Sequence, residues 1–352
     1  MNTTSNKYSD LKIAWFSDKL QSIRQRIVTA PIYVRLKPTN RCCHKCTFCA
    51  YNVEQSSMHD TMRLADELPR EKVLEILSDF KDMGVKCTTY SGGGEPLMHP
   101  NIVEFFETTV NYGIDLSVIT NGQFLNGERA RGLINAKWVR VSMNYHEASM
   151  FKKSRGGSEK AFKQILSNIK GFGKIKSTTC DLAVNFILTK ENHNSVFEAT
   201  LMLKELGVNN VRFSPVWTKD FVAYHAQIKQ QVVTALTKAR DLFQSDSFKV
   251  YDSYKITEEV DIRKYKKCYI VQIIPVVGAD GFVYNCHNKS YTREGIVGSI
   301  KDKSFKEVWF SEKAKKHFEE FDPQQSCRCQ CANDNKNLFI NELLDCYGDN
   351  YV

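Results

Sequence analysis

A phrase of helix, glycine and strand recurs through the first two thirds of the chain and restricts the fold more than any other feature. Val73, Leu74, Leu77, Phe80 and Met83 fall on one face of a helix, Gly84 stops it, and Lys86-Cys87-Thr88-Thr89-Tyr90 follows as a strand. Tyr112-Gly113-Ile114 leads into Leu116-Ser117-Val118-Ile119, and Leu206-Gly207-Val208 into Val211-Arg212-Phe213. Ile32-Tyr33-Val34-Arg35-Leu36-Lys37 alternates as a strand, and residues 138–142 and 182–187 read as two more, with helices at about 124–135 and 158–172. Six strands thus alternate with helices across residues 31–225. Such alternation predicts an α/β fold of parallel strands joined by right-handed crossovers. An open doubly wound sheet and a barrel share this periodicity.

In either architecture the C-terminal ends of the strands carry the site. After the first strand comes Arg41-Cys42-Cys43-His44-Lys45-Cys46-Thr47-Phe48-Cys49, in which Cys42, Cys46 and Cys49 form Cys-x3-Cys-x2-Cys. A structural zinc site takes four protein ligands. Three thiolates on a four-iron cluster leave one iron open to an outside ligand. A zinc loop completed by His44 or a remote cysteine, and an electron-transfer cluster with a distant fourth ligand, are the alternatives. After the second strand comes Tyr90-Ser91-Gly92-Gly93-Gly94-Glu95-Pro96. Its glycines let backbone approach a ligand closely, and Glu95 adds an acceptor. Phosphate-cradling loops also use glycine, but they open a helix and often bring a lysine.

A different pattern begins at Cys268. Residues 270–277 and 282–284 read as a hairpin about Gly278-Ala279-Asp280-Gly281, which would bring Cys268 near Cys286. A helix at about 303–321 then returns Cys327, Cys329 and Cys331, with Cys346 further on in a helical tail. Four of these thiolates can close a cluster, or an all-cysteine zinc site. The chain divides into a helical lead-in at 1–30 capping the next unit, the α/β unit at 31–225, a helical linker at 226–262, a cysteine-bearing unit at 263–335 and the tail at 336–352. Residues 251–267 are charged and irregular.

Twelve cysteines bear on the compartment. No secretory signal opens the chain and no apolar run approaches a membrane span, which predicts a cytoplasmic protein with no membrane partner. There thiols stay reduced, and clustered ones read as metal ligands. Cys87 and Cys180 stand apart, as small core residues. The net charge of +9 favours an anionic partner. It overstates the balance, because ligating cysteines are thiolates.

The three-cysteine spacing, the aromatic Phe48 before the last cysteine and the Gly-Gly-Glu-Pro segment one unit later together resemble the radical S-adenosylmethionine (radical SAM) enzymes. The resemblance implies a partial (βα)6 TIM-like barrel, a [4Fe–4S] cluster on Cys42, Cys46 and Cys49, and SAM chelated to its open iron. It implies that Gly92, Gly93, Gly94, Glu95 and Pro96 receive the SAM amino group, and that the Phe48 backbone meets the adenine. Ser142 and Asn144 match polar contacts to the ribose or the amino-acid end. Arg155 suits the SAM carboxylate, while Asn121, Gly122 and Ser214 line the pocket. Cys43 and His44 lie outside the spacing, with a surface or supporting role. The stretch from Cys268 to Cys286 resembles the SPASM/twitch auxiliary domains. This implies a small α+β unit with an auxiliary [4Fe–4S] cluster drawn from Cys268, Cys286, Cys327, Cys329 and Cys331. The usual final pair is Cys-x2-Cys, so which of the last cysteines ligate is open. The implied reaction takes an electron from flavodoxin or ferredoxin, cleaves SAM to a 5′-deoxyadenosyl radical and abstracts a hydrogen atom from substrate. A small polar or phosphorylated substrate (sugar, aminocyclitol, nucleotide sugar or nucleoside) is favoured over a ribosomally made peptide, since about 30 residues precede the first strand. An iron–sulfur electron carrier or a zinc-containing nucleic-acid-binding protein is the reading from another class. The glycine segment speaks against it.

Overall fold

The computed structural model describes residues 9–51, 60–218, 220–254, 263–327 and 331–346. After a 3-10 turn at Asp10–Trp15 and α1 (Ser17–Arg24), the expected alternation runs through β1 (Tyr33–Leu36), α2 (Arg70–Met83), β2 (Cys87–Tyr90), α3 (Ile102–Asn111), β3 (Asp115–Thr120), α4 (Gly127–Arg131) and β4 (Trp138–Ser142). It continues through α5 (Ala148–Arg155), α6 (Glu159–Ile175), β5 (Asp181–Leu188), α7 (Val196–Glu205) and β6 (Asn210–Pro215). Every neighbouring pair from β1 to β6 is parallel. The stop at Gly84 is real: it takes φ +78, and its N–H caps the end of α2.

Two-fold alternation divides each strand between two environments. Val34, Leu36, Val118, Val139, Val141, Val184, Phe186, Val211 and Phe213 are buried beneath the helices in one apolar core. The other face carries Arg35, Thr89, Ser117, Arg140, Ser142, Asn185, Arg212 and Ser214. Tyr33 donates to Thr89 (2.8 Å), and Thr89 and Ser117 share a 2.6 Å bond. The inner face is thus polar, unlike the aliphatic filling of a closed barrel.

The α/β unit read as ending at 225 closes with α8 (Phe221–Ala226), and the segment read as a linker folds as α9 (Lys229–Phe243) and a seventh parallel strand, β7 (Lys249–Asp252), paired with β6. Its four residues include Lys249 and Asp252, and the charge hid it. The later hairpin is shorter than expected. Residues 270–272 belong to a 3-10 turn, and strand pairing is left to β8 (Val276–Val277) and β9 (Phe282–Tyr284), with β10 (Ile296–Ser299) added. A short apolar run satisfies strand and helix alike, so periodicity could not separate them. β8 pairs parallel with β1, so one ten-stranded sheet runs β10-β9-β8-β1-β2-β3-β4-β5-β6-β7. The helix expected at 303–321 is two, α10 (Phe305–Trp309) and α11 (Glu312–Glu320), because Ser311 caps the second. A short α12 (Pro323–Ser326) and α13 (Asp334–Asp345) follow. The lead-in packs Ile13, Leu20 and Ile23 against Ile270, Ile273 and Ile340, so it meets α13 and the auxiliary region rather than only capping the first strands.

Candidate active site

The cysteine loop is laced to the end of α5. Lys45 N–H donates to the Arg155 carbonyl (3.0 Å) and Thr47 N–H to that of Ser154 (2.9 Å). Arg155, 3% exposed, donates from Nη2 to the Ser142 carbonyl (2.5 Å), and its Nη1 lies 3.3 Å from His44 Nδ1. His44 is therefore buried, between Arg155 and the edge of Phe151, rather than on the surface. Burial first, and then the Arg155 charge, lower its pKa to about 4, so it is neutral. The guanidinium also lowers the pKa of Cys42, Cys46 and Cys49, a cation set against three potential thiolates. Burial outweighs it at Cys49, pushed up to about 11, and at Cys46. At Cys42 the hydrogen bond from Cys43 wins, and the thiol is lowered while Cys43 is raised. Asn121 Nδ2 approaches Cys43 Sγ at 3.3 Å.

The glycine segment is stitched to the same loop. Glu95 N–H donates to the Arg41 carbonyl (2.8 Å) and Gly94 N–H to that of Thr39 (3.3 Å). A Cβ on Gly94 would stand 2.0 Å from the Arg41 carbonyl oxygen, and one on Gly93 2.1 Å from Asn40 Oδ1. Close approach of two loops is therefore sufficient reason for both glycines. Glu95 is 2% exposed and accepts from Thr120 Oγ1 (2.6 Å), Asn121 N–H (2.6 Å) and Leu97 N–H (3.1 Å). It ties the segment to the end of β3, while Pro96 begins a buried 3-10 turn. Burial raises its pKa to about 7, against those three bonds.

Two chambers stand out, of which the first borders the loop. One, of 410 Å³, is lined by Phe48, Cys49, Tyr145, Thr189, Trp217 and Tyr224, with others from the ends of β5 and β6. The second, of 160 Å³, lies on the inner face and is lined by Arg140, Ser142, Asn185, Arg212, Ser214 and Ser253, with Trp217 common to both. Cys331 forms part of its wall. Ser142 and Ser214 thus face the inner chamber. Asn144 instead clasps two strand ends: its Oδ1 accepts from Ile187 N–H (3.0 Å), while its buried Nδ2 has no acceptor. Gly122 lies against Val141 and Ile165 with φ +83, a packing position. Thr189, Trp217 and Tyr224 were missed by sequence reasoning; lying beyond strand ends was their only signal.

The distal cysteines also converge. The charges of Cys286, Cys331 and Cys327 all act on Cys268, and those of Cys331 and Cys327 act on Cys286. Burial pushes the Cys268 and Cys286 thiols up, Cys286 to about 12. Cys329 lies outside the described residues, and Cys346 is exposed at the end of α13. Among the described residues no three His, Cys, Asp or Glu side chains are arranged to hold a single ion. A four-iron cluster spaces its thiolates more widely than a single ion does. Two cysteine-rich sites, the loop one open to solvent at Cys42 and the distal one half-buried, fit clusters, and the chamber beside Phe48 and Cys49 fits SAM.

Comparison with known proteins finds a family for each of the two cysteine-bearing stretches. Residues 36–199 match the radical SAM superfamily, and residues 268–332 match SPASM, an iron–sulfur cluster-binding domain. GTP 3′,8-cyclase of Lactiplantibacillus plantarum is 30% identical over 54% of this chain and 58% of its own. PqqA peptide cyclase of Gluconobacter oxydans is 22% identical over 52% of this chain and 49% of its own. The chain thus spans about half the length of the curated relatives it matches. Streptococcus suis SuiB, solved with its precursor peptide SuiA, shares the fold with a TM-score of 0.64 over 88% of this chain and 71% of that one, at 15% identity.

Proposed function

Because the chain belongs to the radical SAM superfamily and carries a SPASM iron–sulfur domain, we propose that it abstracts a hydrogen atom from a small polar substrate held on the inner face of the sheet. When bound, the [4Fe–4S] cluster and SAM supply reductive cleavage of the sulfonium and the 5′-deoxyadenosyl radical that follows. Cys42, Cys46 and Cys49 would hold that cluster, with Arg155 as a cation behind the loop and Glu95 fixing the loop's second wall. Phe48, Tyr145 and Trp217 give the larger chamber aromatic surfaces for an adenosyl group. Ser142, Asn185 and Ser214 offer hydroxyls and an amide to substrate, and Arg140 and Arg212 favour an anionic substituent. Cys268, Cys286, Cys327 and Cys331 would hold the auxiliary cluster, which suits oxidation or rearrangement of the substrate radical. Flavodoxin or ferredoxin is the electron donor in this reading.

The observation that carries the reading is the 160 Å³ chamber walled by both lumen polar groups and Cys331. It is below the ordinary range for drug-sized ligands, about 300–1,000 Å³, and admits a ring or a charged group rather than a peptide segment. The resemblance to a peptide cyclase favours a second reading, in which a peptide side chain alone enters. Anaerobic reconstitution with iron and sulfide, then dithionite and SAM, tests the chemistry: 5′-deoxyadenosine is expected. Its absence, with or without substrate candidates, overturns the proposal. Cys42→Ala, Cys46→Ala or Cys49→Ala should abolish cleavage. The Cys268→Ala, Cys286→Ala double variant should lose about four irons, one cubane, and retain part of it. GTP and other small anions that raise cleavage above the substrate-free rate support the first reading; stimulation by peptides alone supports the second.

A further inference from the structure

Arg263 is a buried cation outside the machinery described so far. It is 4% exposed and pairs through Nη1 with Asp334 Oδ1 at 2.9 Å. Tyr265 donates to the same carboxylate oxygen at 2.6 Å. Asp334 sits at the start of α13, three residues after Cys331. The pair accounts for one edge of the guanidinium. Its Nε and Nη2 are buried and have no hydrogen-bond acceptor. Leaving such donors unmade is costly, the more so on a charged group, so native proteins keep them for a partner. The negative groups acting on Arg263 are Asp334, Cys331, Tyr265 and Cys327, so two of them are thiols of the auxiliary set.

We propose that Arg263 donates its Nε–H and Nη2–H to the sulfurs of the auxiliary cluster and sets that cluster's reduction potential, with Asp334 holding the guanidinium in place. The inference rests on the reading that Cys268, Cys286, Cys327 and Cys331 hold a cluster. Arg263 is a positioning and tuning residue; nothing places it against substrate. Reduction adds an electron to the cluster, and a fixed cation beside it, bonded to sulfur, favours the reduced form. A lysine would keep the charge and lose the planar fork that serves two acceptors and a carboxylate together.

The test is an EPR-monitored redox titration of the reconstituted full chain, reading the two clusters separately. In Arg263→Met the ratio of reduced to oxidised auxiliary cluster at a fixed potential should fall at least tenfold, about 59 mV for one electron. The signal of the cluster on Cys42, Cys46 and Cys49 should keep its potential. Arg263→Lys should fall between wild type and Arg263→Met. Asp334→Asn should move the other way, because it removes a negative charge and keeps the guanidinium. A merely structural role would not move the two variants in opposite directions. An unchanged auxiliary potential in an iron-replete Arg263→Met protein overturns the proposal. So does an equal shift of both clusters. Should Arg263→Met lose its irons, Asp334→Asn decides, and a potential that does not rise overturns it. Failure of the underlying reading is separate: the Cys268→Ala, Cys286→Ala variant would then keep its full iron content.

Discussion

Glu95 couples the two strand-end loops through a carboxylate that solvent does not reach, and its three donors do not offset the cost of burial. Its pKa stands at about 7 against an ordinary 4.5. The folded protein therefore binds a proton there at pH values where the unfolded chain has released it. Stability from this group is fully present below about pH 4.5 and is lost as the pH rises through about 7. The difference amounts to roughly 3 kcal/mol at 1.36 kcal/mol per unit. Glu95→Gln should remove most of that slope. Urea unfolding of the cluster-free protein at pH 5 and pH 8 measures it, and equal slopes in wild type and variant would refute the assignment. Arg155 makes a second residue-scale prediction. Since its charge favours the thiolate form of Cys42, Cys46 and Cys49, Arg155→Met should slow alkylation of these thiols by iodoacetamide at pH 7.5 several-fold. Unchanged modification rates, resolved by peptide mass spectrometry, would show that the cation does not reach them.

At the scale of elements, glycine means different things in different places. Gly94 lies where a Cβ would stand 2.0 Å from the Arg41 carbonyl, and neither backbone can yield without pulling the cysteine loop from its place. Gly94→Ala should cost on the order of 1–3 kcal/mol as overpacking and should lower iron incorporation. Gly171, within α6, meets nothing within 4 Å and has no positive φ. Gly171→Ala should stabilise by about 0.5–1 kcal/mol, because alanine is the better helix former. Thermal melts of both variants check the pair, and a neutral Gly94→Ala would mean that the loops part freely. The same contrast shows what the sequence could carry. The six strands and their helices were legible because burial on one face repeats at a fixed period, and the cysteine spacing was legible because it is local. β7 was not, since four residues with two charges give no period. Nor was the true neighbour of Gly94: a glycine tells that backbone must come close, not whose. His44 and Lys37 were opaque for another reason. Each is a polar residue with its reason for burial elsewhere in the chain, His44 against Arg155, 111 positions away, and Lys37 against Ser290, 253 positions away.

Lys37 leads to the whole molecule. It stands just past β1, wholly buried, with Nζ 3.0 Å from Tyr51 Oη and 2.7 Å from Ser290 Oγ, and the Tyr51 and Tyr291 rings lie 4.5 and 4.6 Å away. Tyr51 follows the cysteine loop, and Ser290 and Tyr291 follow Cys286, so one side chain pins the two centres to each other. The sheet does the same over a longer span, since β8 hydrogen-bonds to β1 and the apolar core runs unbroken from Val34 to Val283, Trp309 and Phe318. Tyr291 Oη donates to Asn40, and Trp309 Nε1 donates to the Thr29 carbonyl at 2.9 Å. A division at residue 262 would strip β1 of a neighbour and open the core. An exposed parallel edge is a template for aggregation. The described regions should therefore unfold as one cooperative unit. Trp309 reports on the auxiliary side, and Trp138 and Trp217 on the barrel side. With the other tryptophans replaced by Phe, fluorescence of Trp309 and of Trp217 should give coincident urea midpoints, matching far-UV circular dichroism. A chain ending at residue 262 should be insoluble or lack a cooperative transition. Two separated midpoints, or a soluble truncated chain that still cleaves SAM at the full rate, would show that the auxiliary region is an appendage. Coincidence would mean that the cysteine loop and the distal cysteines are built into one body, so that a ligand filling either would stabilise the walls of the other.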